Sequence, residues 1–248
     1  MIGVDRDPTA LESTRARLAS AGDRLALVHA DYRDLPRVLT DRAVSAVDGA
    51  LADLGVSSMQ LDDAERGFSF RHDGPLDMRM DPSSGATLAE RLVDVDEATL
   101  ADVIARFGEE RHARRVARAI VRARDERPLT RTGELASVVR RAAGGRGWQR
   151  LDPATRTFQA LRIWVNRELE GLDTFIEAAV AALAVGGRLA VIAFHSLEDR
   201  VVKHTMRQLG HMKTVTVLTK KPIWPSEDEA RRNPRARSAR LRAVERLA

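Results

Sequence analysis

Two aspartates and one histidine stand directly after apolar segments that the sequence predicts to be buried strands. Asp5 follows residues 2–4, Asp53 follows residues 47–52, and His195 follows residues 188–194. The carboxyl ends of parallel strands meet at one edge of an open α/β sheet, where such proteins bind their ligands. A carboxylate there accepts hydrogen bonds from hydroxyls or amines, and a histidine contacts a base or takes a proton. The spacing therefore predicts a ligand site at this edge.

Asp53 also begins a long segment with almost no periodicity, residues 53–81. Large apolar side chains are scattered among its charges, and disordered segments rarely carry them, so we expect an ordered, functional loop. Gly55 and the pair Ser57-Ser58 offer close backbone approach and hydrogen bonds to a ligand, and Gln60 adds a donor and an acceptor. The alternatives are that Asp53 caps a turn and that Gln60 is solvated.

The other polar candidates also have two interpretations each. Asp5 before Asp7-Pro8 is typical of turn chemistry as well as of a ribose contact. Tyr32, at the end of a second predicted strand, either stacks on an adenine or is a half-buried aromatic. Ser196 is expected to cap the helix that follows His195, which leaves the imidazole without an assigned role.

Arginines cluster in two places that suit phosphate contacts. A predicted helix over residues 109–124 carries a stripe at steps of three and four residues, made of Arg111, Arg115, Arg118 and Arg122. A second cluster, residues 231–240, contains Arg235 and Arg237. The arginines outnumber nearby acids, which favours RNA over a solvated, ion-paired face.

Composition sets limits on the class of protein. The 248 residues are 44% hydrophobic and carry 41 Lys and Arg against 36 Asp and Glu, a formal charge of +5. Cysteine is absent, which excludes disulfides and thiolate chemistry, and the histidines lack metal-ligand spacing, so we expect no metal site. Without an apolar run of membrane-span length or a signal peptide, we expect a soluble, cytoplasmic protein.

Strands alternate with helices in the first and last thirds of the chain, which predicts parallel βαβ units and a doubly wound sheet. Residues 213–219 and 239–247 are expected to close it as an antiparallel pair. Between them, helical periodicity over residues 87–144 indicates an inserted helical domain. We therefore divide the chain into an α/β core of residues 1–84 and 153–248 and an inserted domain of residues 85–152.

These features occur together, in order, in one known family. The motifs are Gly3-Val-Asp-Arg-Asp-Pro8, the loop 53–81, Phe107-Gly-Glu-Glu-Arg111, Pro153-Ala-Thr-Arg-Thr-Phe-Gln-Ala-Leu-Arg162, Gly186-Gly-Arg-Leu189, Phe194-His-Ser-Leu-Glu-Asp-Arg200 and Asn233-Pro-Arg-Ala-Arg-Ser238. Over nearly its whole length the chain resembles the ribosomal RNA small subunit methyltransferase H family, also called MraW.

The resemblance implies a class I, Rossmann-like methyltransferase sheet with an inserted helical domain and S-adenosyl-L-methionine as cofactor. It implies cofactor contacts by Asp5, Tyr32, Asp53 and Gln60. The methyl group would go to the exocyclic amine of a cytidine in the decoding region of 16S rRNA, within the small ribosomal subunit. Asp53 and His195 are then the candidates that orient this amine.

The resemblance also implies a first strand and a glycine-rich loop ahead of Gly3, and both are absent from this sequence. From this we expect an N-terminally truncated chain that binds the cofactor poorly. The alternative function is an RNA-binding, catalytically impaired remnant of the enzyme. A nicotinamide-dependent oxidoreductase would share Asp5 but would explain neither the loop 53–81 nor the arginine-rich end.

Overall fold

The structure, a computed structural model, describes residues 1–144 and 152–247. The strands in this part of the chain are β1 (Ile2–Asp5), β2 (Ala26–His29), β3 (Val47–Asp53), β4 (Leu183–Ala193), β5 (Val215–Val217) and β6 (Arg240–Arg246). Its α-helices are α1 (Pro8–Arg17), α2 (Leu35–Thr40), α3 (Ser58–Asp62), α4 (Leu88–Asp94), α5 (Glu97–Gly108), α6 (Ala113–Glu126), α7 (Thr132–Ala143), α8 (Ala154–Asn166), α9 (Leu172–Ala182), α10 (Ser196–His211) and α11 (Glu227–Arg232). None of the helices described has the length and apolar character needed to cross a membrane.

The strands pair in both parallel and antiparallel directions, as in a mixed α/β protein. β1 pairs in parallel with β2, and β3 pairs in parallel with β4. β6 runs antiparallel to both β4 and β5, which confirms the predicted closing pair. The described strands form a two-stranded sheet, β1-β2, and a four-stranded sheet, β3-β4-β6-β5, rather than the single doubly wound sheet that the sequence predicted.

The chain divides into two compact units. The α/β unit comprises Met1–Gly55 and Leu169–Ala248, and the helical unit comprises Val56–Glu168. The helical unit is wider than the range 85–152 expected from periodicity, of which residues 145–151 lie outside the described part. The difference has a packing cause, because Leu76, Met78 and Phe158 are buried in the same apolar core as the helices α4 to α7.

The core of the α/β unit is built on β4. Leu189, Val191 and Ala193 alternate along this strand and are all buried, as expected for one face of a covered sheet. The buried faces of α9 and α10 contribute Ile176 and Met206 to the same cluster. This packing fixes the carboxyl end of β4, and therefore the residues that follow it.

In the helical unit, residues 56–81 are held in place by buried apolar side chains and by the hydrogen bonds of one asparagine. Met78 is fully buried, although its φ of 60° is unfavourable for a side-chain-bearing residue. Nδ2 of Asn166 donates to the Met78 carbonyl at 2.7 Å, and Oδ1 accepts from the Met80 N–H at 2.7 Å. The prediction of an ordered rather than a disordered loop is confirmed for this segment.

Candidate active site

Asp53 and His195 stand at the same edge of the four-stranded sheet. Asp53 is the last residue of β3 and lies opposite Ile192 of β4. The N–H of Leu54 donates to the Ile192 carbonyl at 3.0 Å, so the pairing continues past the strand end. His195 follows β4 by two residues. The parallel register therefore brings the two side chains to one edge, as the strand pattern predicted.

His195 is itself the N-cap of α10. Its Nδ1 accepts the N–H of Glu198 at 3.3 Å, so the capping expected of Ser196 falls to the residue before it, and that prediction is wrong. A ring nitrogen that accepts a backbone hydrogen bond carries no proton, so the neutral imidazole has its proton on Nε2. His195 is only 9% exposed, and its Nε2 makes no hydrogen bond within the described residues. This geometry favours a donor over a proton acceptor.

Glu198 is the residue that the sequence interpretation missed. It is 2% exposed, and its Oε2 accepts the N–H groups of Phe194 at 2.9 Å and His195 at 3.3 Å. Its Oε1 lies 3.2 Å from Nε2 of His195, although not in line for a hydrogen bond. Glu198 has the spacing of a capping box, three residues after the cap, but the pattern is recognised in a sequence only with serine or threonine as the cap.

The carboxylates at this edge influence each other. Partial desolvation raises the pKa of Asp53 above its usual value, although the residue is still exposed at the end of β3, and the negative charge of Glu198 raises that pKa further. Gly55, two residues after Asp53, has a φ of +89°, a conformation that favours glycine, and a Cβ there would make only an ordinary contact of 3.9 Å with Oε1 of Glu198. The result is a carboxyl group that holds its proton more tightly than an ordinary aspartate, at the sheet edge that His195 also occupies.

Asp5 and Tyr32 stand at the carboxyl ends of the other parallel pair. Oδ1 of Asp5 accepts the N–H of Asp7 at 2.8 Å, which is the predicted turn chemistry, while partial desolvation raises the pKa of Asp5. Tyr32 is half-buried, with its ring centroid 4.9 Å from that of Phe175 on α9. A carboxylate retains further acceptor capacity after one hydrogen bond. Both residues are therefore placed where a ligand at the strand ends would meet them.

Gln60 is buried in the helical unit, at 6% exposure, rather than solvated. Its Oε1 accepts the Ser57 N–H at 2.8 Å while its own N–H donates to Ser57 Oγ at 3.2 Å. This capping box begins α3. The side-chain oxygen of Gln60 thus shapes the loop.

The arginine stripe is only partly the surface that the sequence predicted. The helix α6 begins at Ala113, so Arg111 precedes it. Arg115 donates to the Ala143 carbonyl at 2.7 Å, while Arg118 pairs with Glu97 at 3.1 Å and Arg122 pairs with Glu126 at 3.2 Å. These three guanidinium groups remain exposed, but each has a partner within the helical unit.

Parallel strand pairs with a carboxylate and a capped histidine at their carboxyl ends define an α/β protein, the class in which ligands bind at this edge of the sheet. Comparison with known proteins makes this specific. The family model described as the MraW methylase family matches residues 1–247. The ribosomal RNA small subunit methyltransferase H of Sorangium cellulosum is 53% identical over 247 residues, covering 100% of this chain and 78% of that protein.

A protein of the same name from Nitrosococcus oceani is 49% identical over 261 residues, covering 99% of this chain and 82% of the relative. The chain therefore belongs to the MraW methylase family, and it is a methyltransferase. The predicted family and the predicted enzyme class are both confirmed.

Proposed function

We propose that the protein transfers a methyl group from S-adenosyl-L-methionine to the exocyclic N4 amine of cytosine 1402 in 16S rRNA. The names of its relatives, which are methyltransferases of small-subunit ribosomal RNA, support the substrate class. The observation that carries the chemistry is Asp53, a carboxyl group at the end of β3 whose pKa is raised by desolvation and by the charge of Glu198, the residue that holds His195.

The sheet proposed for this function is the class I, Rossmann-like sheet. Support comes from the two parallel pairs, β1-β2 and β3-β4, and from β6, which lies antiparallel between β4 and β5. Rossmann-like proteins bind their cofactor where strand order reverses, outside the carboxyl ends. Asp5 and Asp53 are the last residues of such strands, and Tyr32 follows the end of β2.

The residues present suit the proposed cofactor. A carboxylate at the position of Asp5 can accept ribose hydroxyls, and the ring of Tyr32 offers an aromatic surface to adenine. Asp53 adds a negative group that suits a cationic sulfonium. Gln60 also belongs to the proposed cofactor-binding residues, and its role is to shape the loop that follows Asp53.

Methyl transfer to this amine needs alignment as well as a proton acceptor. The nitrogen is a poor nucleophile because its lone pair is delocalised into the cytosine ring. S-adenosyl-L-methionine, when bound, supplies an electrophilic methyl group. Asp53 accepts a hydrogen bond from the amine, and this hydrogen bond turns the nitrogen lone pair towards the methyl carbon. The Asp53 carboxylate then receives the proton that the amine loses. His195, held by Glu198, borders the base and orients it.

The RNA contacts proposed are those of the two arginine clusters. In the helical unit they are Arg111, Arg115, Arg118 and Arg122, which are all exposed, the last three beside their protein partners. In the α/β unit they are Arg235 and Arg237. Such groups bind phosphates without reading sequence, so they support affinity rather than the choice of nucleotide. The small ribosomal subunit in the cytoplasm is the proposed setting.

The test is methylation of unmodified small ribosomal subunits with labelled S-adenosyl-L-methionine, followed by mass spectrometry of the nucleosides. The wild type should form N4-methylcytidine, and Asp53→Asn should lower the rate by about 10²-fold or more. Asp48→Asn is the matched control, because Asp48 is exposed on the same strand at its other end.

Two results separate the remaining possibilities. A wild-type chain that binds RNA but neither binds S-adenosyl-L-methionine nor methylates subunits would support the RNA-binding remnant instead. Equal rates for Asp53→Asn and Asp48→Asn, with product formed, would remove Asp53 from the chemistry while leaving the methyltransferase assignment intact.

A further inference from the structure

An exposed aromatic side chain lies on a well-ordered part of the α/β unit and has no role in the site described above. Trp224 is 52% exposed, and its neighbour Ile223 is 57% exposed. The backbone beneath them is fixed, because Ile223 and Leu241 exchange two hydrogen bonds of 2.9 Å. Trp224 is therefore a rigidly mounted indole at the surface.

A cation lies against this indole. The guanidinium carbon of Arg240 is 4.9 Å from the centre of the Trp224 ring, within the range of a cation–π contact. Arg240 is held in turn by Asp199, whose Oδ2 lies 3.6 Å from Nη1. The stacked pair is thus anchored through one arginine, while half of the indole surface still faces solvent.

The pair lies close to the candidate active site. Arg240 begins β6 and stands opposite Ala193 of β4, two residues before His195. Its partner Asp199 lies in the first turn of α10, the helix that His195 caps. Trp224 is therefore mounted at the same end of β4 as Asp53 and His195.

The surrounding charge indicates which partner would use this surface. Residues 218–240 contain seven basic side chains, namely Lys220, Lys221, Arg231, Arg232, Arg235, Arg237 and Arg240. They contain three acidic ones, Glu227, Asp228 and Glu229, of which the first two pair with Arg231. A net positive segment with an exposed aromatic ring suits single-stranded nucleic acid, whose bases stack on aromatic rings while cations contact phosphates.

We propose that Trp224, supported by Arg240, is a stacking platform for an unpaired base of the RNA strand that carries the methylated cytidine. The inference rests on the proposed function and adds to it a base-binding position outside the reacting site. Its position predicts that the platform holds a neighbouring nucleotide, so that the strand is fixed while the target base is turned towards Asp53.

The experiment compares Trp224→Ala, Trp224→Phe and Val185→Ala with the wild type. Val185 is the control because it is 73% exposed at the other end of β4. Trp224→Ala should raise the KM for unmodified small subunits about tenfold, the effect expected of one lost base stack. Its kcat and its affinity for S-adenosyl-L-methionine should stay unchanged. Trp224→Phe should recover most of the loss, and Val185→Ala should match the wild type.

A second measurement needs no catalysis. Titration with a single-stranded RNA oligonucleotide should quench the tryptophan fluorescence of the wild type, and Trp224→Phe should lose most of that quenching. If the wild type methylates subunits and Trp224→Ala has the same KM, the platform is refuted while the proposed function stands. A raised subunit KM with unchanged oligonucleotide affinity in Trp224→Ala also refutes it, because the contact would then be with a ribosomal protein. Failure of the wild type to methylate would instead refute the proposed function.

Discussion

Nδ1 of His195 accepts the backbone N–H of Glu198, and Oε2 of Glu198 accepts the backbone N–H of His195 in return. This reciprocal pair is a capping box in which histidine replaces the usual serine or threonine. It fixes the imidazole through its own helix, independently of any ligand. The buried acid that completes the box also raises the pKa of Asp53, after the larger effect of burial. The same residue, Glu198, therefore helps to fix the histidine through the capping box and contributes to the raised pKa of the aspartate.

Removing this carboxylate should destabilise the α/β unit. In Glu198→Ala the N–H groups of Phe194 and His195 lose their acceptor in a buried environment, so the free energy of unfolding should fall by about 1–3 kcal/mol. Glu198→Gln keeps an oxygen acceptor and should lose about 1 kcal/mol or less. Urea unfolding measures both, with the exposed Glu177→Ala on α9 as the control. Equal losses in the alanine and glutamine variants would contradict this account.

Glu198→Gln should also move the pH dependence of methyl transfer. The proposed role of Asp53 needs its carboxylate, so activity is lost as pH falls through the pKa of Asp53. That pKa is raised by burial and by the charge of Glu198, and the substitution removes the second effect. The acidic limb of the rate profile should therefore shift to lower pH. Asp48→Asn should keep the wild-type limb, and an unmoved limb in Glu198→Gln would exclude the coupling.

The sequence predicted the positions at the sheet edge because those positions depend on local patterns. An apolar run followed by Asp53, and another followed by His195, are enough to place both residues at the ends of buried strands. The helix cap was not predicted, because serine is the preferred cap and Ser196 was adjacent. Only the backbone conformation of His195, which is extended rather than helical, makes it the cap.

Features that depend on contacts between residues far apart in the sequence could not be predicted from the sequence. Arg118 is paired with Glu97, which is 21 residues away, so the stripe on α6 is less available than its spacing suggested. The helical unit begins near Val56 rather than at residue 85, because the apolar side chains of the loop pack against helices that follow much later in the chain. Hydrophobic periodicity identifies elements, but it does not show which of them share a core.

An ion pair in the helical unit should make the free energy of unfolding depend on pH in the acidic range. Burial raises the pKa of Asp77, but the hydrogen bonds and charge of Arg79 outweigh this effect and hold the pKa below its usual value. A lowered folded-state pKa stabilises the protein above the unfolded value, and this contribution is lost as pH falls through the folded value. Asp77→Asn should therefore cost about 1–2 kcal/mol at neutral pH, and the cost should shrink below about pH 3.8.

Urea unfolding of wild type and Asp77→Asn at several pH values measures this difference. Asp102→Asn is the control, because Asp102 is exposed and its pair with Arg106, 3.3 Å apart, lies on the surface of α5. Surface pairs of this kind contribute little, so the control should stay within about 0.5 kcal/mol of the wild type. A cost for Asp77→Asn that is independent of pH would show that Arg79 does not stabilise the charged form.

Two glycines with the same backbone conformation allow a matched test of how tightly the loop 56–81 is packed. Gly67 has a φ of +69° and Gly85 a φ of +76°, so alanine at either site pays the left-handed penalty of about 1–2 kcal/mol. A Cβ at Gly85 would meet nothing within 4 Å, whereas one at Gly67 would overlap the Pro75 carbonyl and lie 2.8 Å from the Asp77 nitrogen. Because overpacking adds about 1–3 kcal/mol, Gly67→Ala should destabilise clearly more than Gly85→Ala in thermal or urea unfolding.

The same displaced backbone carries Asp77 and Met78, so limited proteolysis should cut the loop faster in Gly67→Ala alone. Equal stability and equal proteolysis of the two variants would show that the loop adjusts its backbone without a loss in the free energy of unfolding. The close packing at Gly67 would then not be what holds the loop.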